Sequence, residues 1–229
     1  MISIIIPTFQ EEGNIGRLIS YLKKEAAHQA ILEIIVVDGK SSDNTVEEAR
    51  AAGARAILAA KKGRASQMNE GAGQAKGNIL YFLHADTRPP LNFADDLVRA
   101  SIRGRQAGCF RLSFDDRHFL LSLYSWFTRF NIKAFRFGDQ SQFITKELFD
   151  KIGGFDESLT VMEDNEIIGR IINHCSYTLI PKYVKTSAKK YRDNGIVRLQ
   201  LIFIVIFTLY NLGVSQDNLV RIYKRFIRN

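Results

Sequence analysis

At 229 residues, 46% hydrophobic and 24% charged, the chain has the composition of an ordinary globular protein with enough length to bury a proper core, as one large domain or two small ones. A net charge of +8 points to anionic partners (phosphates, nucleic acid or an acidic membrane surface), against the plain alternative of a basic soluble surface. Cys109 and Cys175 lack CxxC spacing and a cluster of His ligands, which argues against a zinc site; two buried free thiols in a reducing compartment are expected instead.

The chain starts directly on a β-branched run, 1–6, without the basic region or cleavage site of a signal peptide, so the protein is expected to stay in the cytosol. Pro7 and Thr8 break that run. An amphipathic helix is predicted over 15–28, with Ile15, Leu18, Ile19 and Leu22 at helical spacing. A second apolar strand, 31–37, ends on Asp38 and Gly39, and Ser41 to Thr45 cap a helix that runs to Ala52. A short strand over 53–58, a basic loop (Lys61, Lys62, Gly63, Arg64) and a helix over 65–75 follow. The fourth strand, 79–83, runs through His84 and Ala85 onto Asp86, and a Pro89–Pro90 loop comes after it.

Alternation of strand and helix with short connections predicts an α/β fold: a doubly wound, mostly parallel sheet with helices on both faces. Such a fold gathers Thr8, Asp38 and Asp86 along the carboxyl edge, where ligands bind. Neither GxGxxG nor GxxxxGK[ST] occurs, which argues against nicotinamide and P-loop sites.

Further on, a helix is predicted over 91–106 and a strand over 109–114. Residues 119–137 are dense in aromatics and serve either the core or an acceptor groove or membrane contact. Gly138, Asp139 and Gln140 open a segment in which Phe143 and Ile144 lead into a helix over 146–152. A turn spans 153–156, a helix over 165–173 begins with Glu163 and Asp164, and a strand covers 176–181. The most apolar stretch, 199–214, is 16 residues long, against about 20 for a span. Lys189, Lys190, Arg192 and Arg198 precede it, and Arg221, Lys224, Arg225 and Arg228 follow. This helical tail suits an anionic membrane surface; packing on the sheet, oligomer contact and a full span stay open.

Asp38 and Asp86 end neighbouring strands in this reading. Carboxylates there can accept from a base N–H or ribose hydroxyl, or ligate a hard cation such as Mg²⁺. Lys62 and Arg64 can neutralise a diphosphate. Glu163 and Asp164, at a helix start that keeps them ionised, suit a general base for a hydroxyl nucleophile. Together the parts fit transfer of a group from a nucleotide diphosphate to an alcohol. The bland alternatives are turn or cap roles for Asp38, Asp86 and the Glu163–Asp164 pair, a solvated Lys62–Arg64 loop and a buried, satisfied His84.

These residues resemble the family 2 inverting glycosyltransferases of GT-A fold. The resemblance is carried by SIIIPTFQEE (3–12), VDGKSSDNT (37–45), KGR (62–64) with Asn69 and Gly71, FLHADT (82–87), GGF (153–155) and MED (162–164), and covers roughly residues 2–190. More narrowly, the chain is similar to a small bacterial branch with an H-A-D-T metal motif and a short hydrophobic tail. The resemblance implies that Pro7, Thr8 and Glu11 line a uridine or guanosine pocket. Asp38 then bonds the base, Lys62 and Arg64 lie near the diphosphate, and Asp86 binds Mn²⁺ or Mg²⁺. Asp164 is the general base with Glu163 as the alternative, and Asp139 and Gln140 contact acceptor or sugar. His84 departs from the pattern by replacing the first Asp of D-x-D, a position that touches the ribose. Lys40 departs by standing where a small residue is common.

The implied protein is a hexosyltransferase with a 1–190 GT-A domain, split into a donor half (1–90) and an acceptor half (91–190), and a tail over 191–229. Its donor is a nucleotide-diphosphate sugar, UDP-linked or else GDP-linked. Its acceptor is lipid or lipid-linked, and its place is peripheral at the inner face of the cell membrane. Alternatives are transfer to a polyprenyl phosphate and a non-catalytic module that keeps the fold; a homo-oligomer is compatible with either. No RNP-like or helix-turn-helix signature supports nucleic-acid binding.

Overall fold

Ile4 and Ile6 point to one side of their strand and Ile5 to the other, and all three are fully buried in a computed structural model that describes residues 1–25 and 30–227. A strand covered on both faces reads as an unbroken apolar run rather than an alternating one. That is the pattern of β1 (Ile2–Thr8), β2 (Ile31–Asp38) and β4 (Ile79–Phe82). On one face they meet α1 (Ile15–Glu25), α2 (Thr45–Ala51) and α4 (Phe93–Ile102). On the other they meet α3 (Arg64–Gln74), α6 (Lys146–Lys151) and α7 (Glu163–Ile172). The predicted end of the first helix, 26–28, and Arg228 lie outside the described residues.

The remaining elements are β3 (Arg55–Leu58), β5 (Thr87–Arg88), β6 (Ala107–Phe114), α5 (Phe119–Phe127), β7 (Gln142–Thr145) and β8 (Thr178–Thr186). The sheet order is β3-β2-β1-β4-β7-β6-β8-β5. β7 runs antiparallel to both β4 and β6, β5 runs antiparallel to β8, and the other pairings are parallel.

Several expectations change in detail. The strands leading to Asp38 and Asp86 are not neighbours: β1 lies between them, with Thr8 opposite Asp38. Asp86 stands beyond the end of β4, in the turn before β5. The loop expected there contains a short edge strand, fixed by Thr87 and Thr186 hydroxyls 2.9 Å apart. Phe143 and Ile144 form a strand rather than a lead-in. The last strand runs on to Thr186, and a register shift passes over Pro181, which cannot donate to the ladder. Cys109 is buried and Cys175 only half-buried.

The tail forms three helices: α8 (Lys189–Asn194), α9 (Ile196–Asn211) and α10 (Gln216–Phe226). Leu199, Ile206 and Leu219 are buried between α9 and α10, and Tyr191 of α8 and Val161 and Met162 of the main body pack against them. The opposite side of α9 exposes Val197, Leu201, Ile204 and Val205. No described helix is long and apolar enough to cross a membrane.

Helix α3 lies so close to the sheet that a Cβ on Gly71 would meet Ile5 Cγ2 at 2.5 Å and Val37 Cγ2 at 3.0 Å. A Cβ on Gly73, in the same helix, would meet nothing within 4 Å. Overpacking costs about 1–3 kcal/mol, whereas Gly→Ala in an open helical position gains up to about 1 kcal/mol. Thermal denaturation is expected to show Gly71→Ala melting below the wild type and Gly73→Ala at or above it; equal shifts would contradict this packing.

Candidate active site

Asp38 is fully buried at the end of β2. Its carboxylate accepts from the Ser41 amide (2.7 Å), the Ser41 hydroxyl (2.5 Å) and the Thr8 hydroxyl (3.3 Å). Asp38 therefore holds its own turn, with little lone-pair capacity left over. Inside that turn Lys40 takes a left-handed backbone (φ +69°), a conformation that suits glycine best. Gln67, buried on α3, donates to the carbonyls of Thr8 and Val37, both at 2.8 Å, and so ties the ends of β1 and β2 together. A polar residue on the apolar face of α3 is the sequence signal for Gln67. Pro7 is half-buried beside this edge. The Glu11 amide donates to Thr45 Oγ1 (2.8 Å). Burial, and less strongly the charge of Asp86, raise the Glu11 carboxyl above its ordinary range.

The second cluster draws on four separate segments. His84, past the end of β4, sits 3.1 Å from an Asp139 oxygen through Nδ1. Asp139 and Gln140 belong to a 3-10 turn, Gly138–Gln140. A Cβ on Gly138 would touch both the His84 ring and Asp164 Oδ2 at 3.1 Å, so the imidazole and the carboxylate flank this glycine. Asp164 accepts from the Gly138 amide and, at 2.7 Å, from the Asn165 amide; these bonds fix its orientation while it stays half-exposed. Glu163 is buried instead and pairs with Arg64 at 3.4 Å. Of the two acids, Asp164 is the one open to a substrate. Lys62 is exposed two residues before Arg64.

Gln140 has no exposed surface. Its amide accepts from Cys109 (3.2 Å) and Arg136 (3.3 Å) and donates to the Phe135 carbonyl (2.8 Å), so it supports the segment instead of facing the cleft. Arg136, also fully buried, donates to the carbonyls of Thr128 (2.8 Å) and Phe130 (2.5 Å) and folds the chain ahead of Asp139. Nothing in the local sequence separates Arg136 from the surface cations around it.

The cleft is acidic. Partial desolvation, then the charge of Asp139, raise the Asp86 carboxyl. Burial also raises Glu163, against the pull of Arg64. Burial pushes Asp139 up too, but the hydrogen bond and charge of His84, with Arg64, bring it below its ordinary value. An exposed carboxylate raised by a second one nearby is a donor set that suits a hard divalent cation. Among the described residues, no group of three His, Cys, Asp or Glu side chains is arranged to hold a metal unaided. Asp86 would then share the ion with oxygens of a ligand.

A sequence model of glycosyl transferase family 2 matches residues 3–156. A search of curated protein sequences finds no significant relative. Among solved structures, the chain is similar to the mannosyltransferase PcManGT from Pyrobaculum calidifontis in complex with GDP-Man and Mn²⁺. The TM-score there is 0.70 at 16% identity, over 97% of this chain and 69% of that one. It is also similar to S. aureus TarS (TM-score 0.66, 18% identity, 98% of this chain), although it spans only 42% of that protein's length. A third is glucosyl-3-phosphoglycerate synthase from Mycobacterium tuberculosis in complex with Mn²⁺, UDP-Glc and phosphoglyceric acid (TM-score 0.64, 15% identity, 94% and 80% of the two chains). The structures fix the fold as GT-A, and the matched residues take in the carboxyl ends of β1, β2 and β4 with Asp38 and Asp86: the chain belongs to glycosyl transferase family 2.

Proposed function

We propose that the protein transfers a hexose from a nucleotide-diphosphate sugar to an acceptor hydroxyl, with inversion at the anomeric carbon. The observation that carries the reading is the convergence of His84, Asp139 and a half-exposed, amide-oriented Asp164 on Gly138, at the edge where the parallel strands end. Pro7, Thr8 and Glu11, with whatever capacity Asp38 retains, would line the base pocket, and His84 would meet the ribose. Arg64 and Lys62 would face the diphosphate, and Asp86 would hold Mn²⁺ or Mg²⁺. When bound, that ion neutralises charge on the departing diphosphate. Asp164 takes the proton from the acceptor hydroxyl; the oxygen forms its bond to C1 from the face opposite the diphosphate, and the bond from C1 to the diphosphate oxygen breaks. Similar structures in complex with UDP-Glc and GDP-Man support a donor of this class.

The acceptor on this reading is lipid or lipid-linked. The exposed apolar side of α9 (Val197, Leu201, Ile204, Val205) and the exposed basic Arg221, Lys224 and Arg225 of the next helix, α10, give the tail the composition of a surface that rests on an anionic bilayer. It would place the cleft at the inner face of the membrane.

Calorimetry and thermal shift with UDP- and GDP-sugars are expected to show Mn²⁺-dependent stabilisation by one of them, about 2.7 kcal/mol at a hundredfold excess over Kd. Asp86→Ala should lose the metal dependence. Asp164→Asn should keep donor binding and lose about 10²–10⁴-fold in turnover; full turnover in that variant would remove Asp164 as the base. For the membrane surface, Leu201→Asp with Val205→Asp should reduce sedimentation with phosphatidylglycerol vesicles more than about tenfold while the melting temperature holds. Undiminished binding would assign α9 to another partner.

A further inference from the structure

The loop that delivers Asp164 is held from the tail. Thr160 and Val161 both donate their amides to Gln216 Oε1, at 3.3 and 3.4 Å, and Gln216 Nε2 donates to the Val161 carbonyl at 3.2 Å. One side chain thus takes up three backbone groups in two consecutive residues. The next residue, Met162, has a left-handed backbone (φ +70°), a conformation that non-glycine residues keep only where their surroundings impose it. From that kink the chain enters α7, and the first two residues of α7 are Glu163 and Asp164.

Gln216 is itself firmly placed. It is the first residue of α10, half-buried, and one turn later Leu219 is fully buried in the cluster that also receives Val161 and Met162. The same tail puts Lys190, whose ammonium bonds to the Tyr223 hydroxyl, close enough for its charge to lower the Asp139 carboxyl. The tail is therefore built into the cleft as well as presenting an outer surface.

We infer that Gln216 is a positioning residue for the reaction: its amide pins residues 160 and 161, fixes Met162 in the left-handed conformation, and so sets where Asp164 stands against Gly138 and His84. This rests on the reading of Asp164 as the base. A group that acts by orientation loses up to about a hundredfold in rate for a displacement of about 1 Å.

The test uses the full chain. Gln216→Met keeps side-chain length and apolar packing but removes all three hydrogen bonds, and Gln216→Glu restores the two that need only an acceptor. Hydrogen exchange followed by mass spectrometry should show the 158–164 peptide of Gln216→Met exchanging at least about tenfold faster, with β1 and α3 peptides unchanged. With donor, Mn²⁺ and acceptor, kcat should fall about 10- to 100-fold while the donor Kd stays at the wild-type value, and Gln216→Glu should lie between the two. Unchanged exchange at 158–164, or faster exchange with wild-type kcat, overturns the inference. A wild-type protein that binds and turns over no nucleotide sugar counts against the glycosyltransferase reading itself and is seen before any variant is compared.

Discussion

The rest of the structure depends on one constraint: β1 is paired in parallel on both sides, with β2 and with β4, and both faces of this three-strand unit are covered. Polar side chains inside such strands would be buried without partners, so polar residues collect where the strands stop. Parallel pairing makes all three stop at the same edge. Thr8 and Asp38 lie opposite each other in the ladder, and the chain beyond β4 brings His84 and Asp86 to the same side. The one polar exception within β1 is Ser3, which donates to Glu33 (2.7 Å) and accepts from the Gly77 amide (2.8 Å).

The second half is locked to this unit through α3. Asn69 donates to the Phe155 carbonyl (2.9 Å) and accepts from the Phe155 amide (2.8 Å), so its side chain mimics a backbone partner for the turn. A Cβ on Gly154, where φ is +70°, would lie 2.7 Å from Asn69 Oδ1, and this close approach is why the turn needs glycine there. Arg64 opens the same helix and reaches Glu163 at the start of α7. The pair is lopsided: the Glu163 side chain is 5% exposed and the Arg64 side chain 49%. Its worth lies less in net attraction than in sparing Glu163 an unpaired buried charge.

The first half of the fold was legible because each of β1, β2 and β4 is an apolar run long enough to stand out, closed by a polar residue. The acids were legible because their spacing placed them at element ends. What could not be read were the parts whose structure is decided by distant partners. β7 spans four residues and follows Ser141, itself in a left-handed backbone (φ +52°), and only its pairing with β4 and β6 makes it a strand. Gln140 and Asp139 are adjacent in sequence, yet one is buried under Arg136 and the other faces His84. In the tail the difficulty was uniformity. Ile202 and Phe203 pack inward with Leu199 and Ile206 while Leu201, Ile204 and Val205 face out, and an all-apolar stretch has no periodicity to separate the two sides.

The charge balance of the chain connects these parts. The protein carries a net +8, yet Glu11, Asp86, Asp139, Glu163 and Asp164 act on one another in the cleft, with Arg64 as the cation drawn in among them. Burial first, and the neighbouring acids second, keep Asp86 and Glu163 above their ordinary range despite Arg64. A diphosphate entering such a cleft alone would meet the wrong sign of charge. On the proposed reading, the acidic cleft that holds Asp164 is also what makes a divalent cation at Asp86 necessary, since that ion is what lets the donor's phosphates sit beside carboxylates. Basic residues of the tail lie outside the cleft on α10, and those of α8, Lys189 and Lys190, act inward on Glu11 and Asp139. One segment thus tempers the cleft's charge on its inner side while it offers a cationic, apolar surface on its outer side.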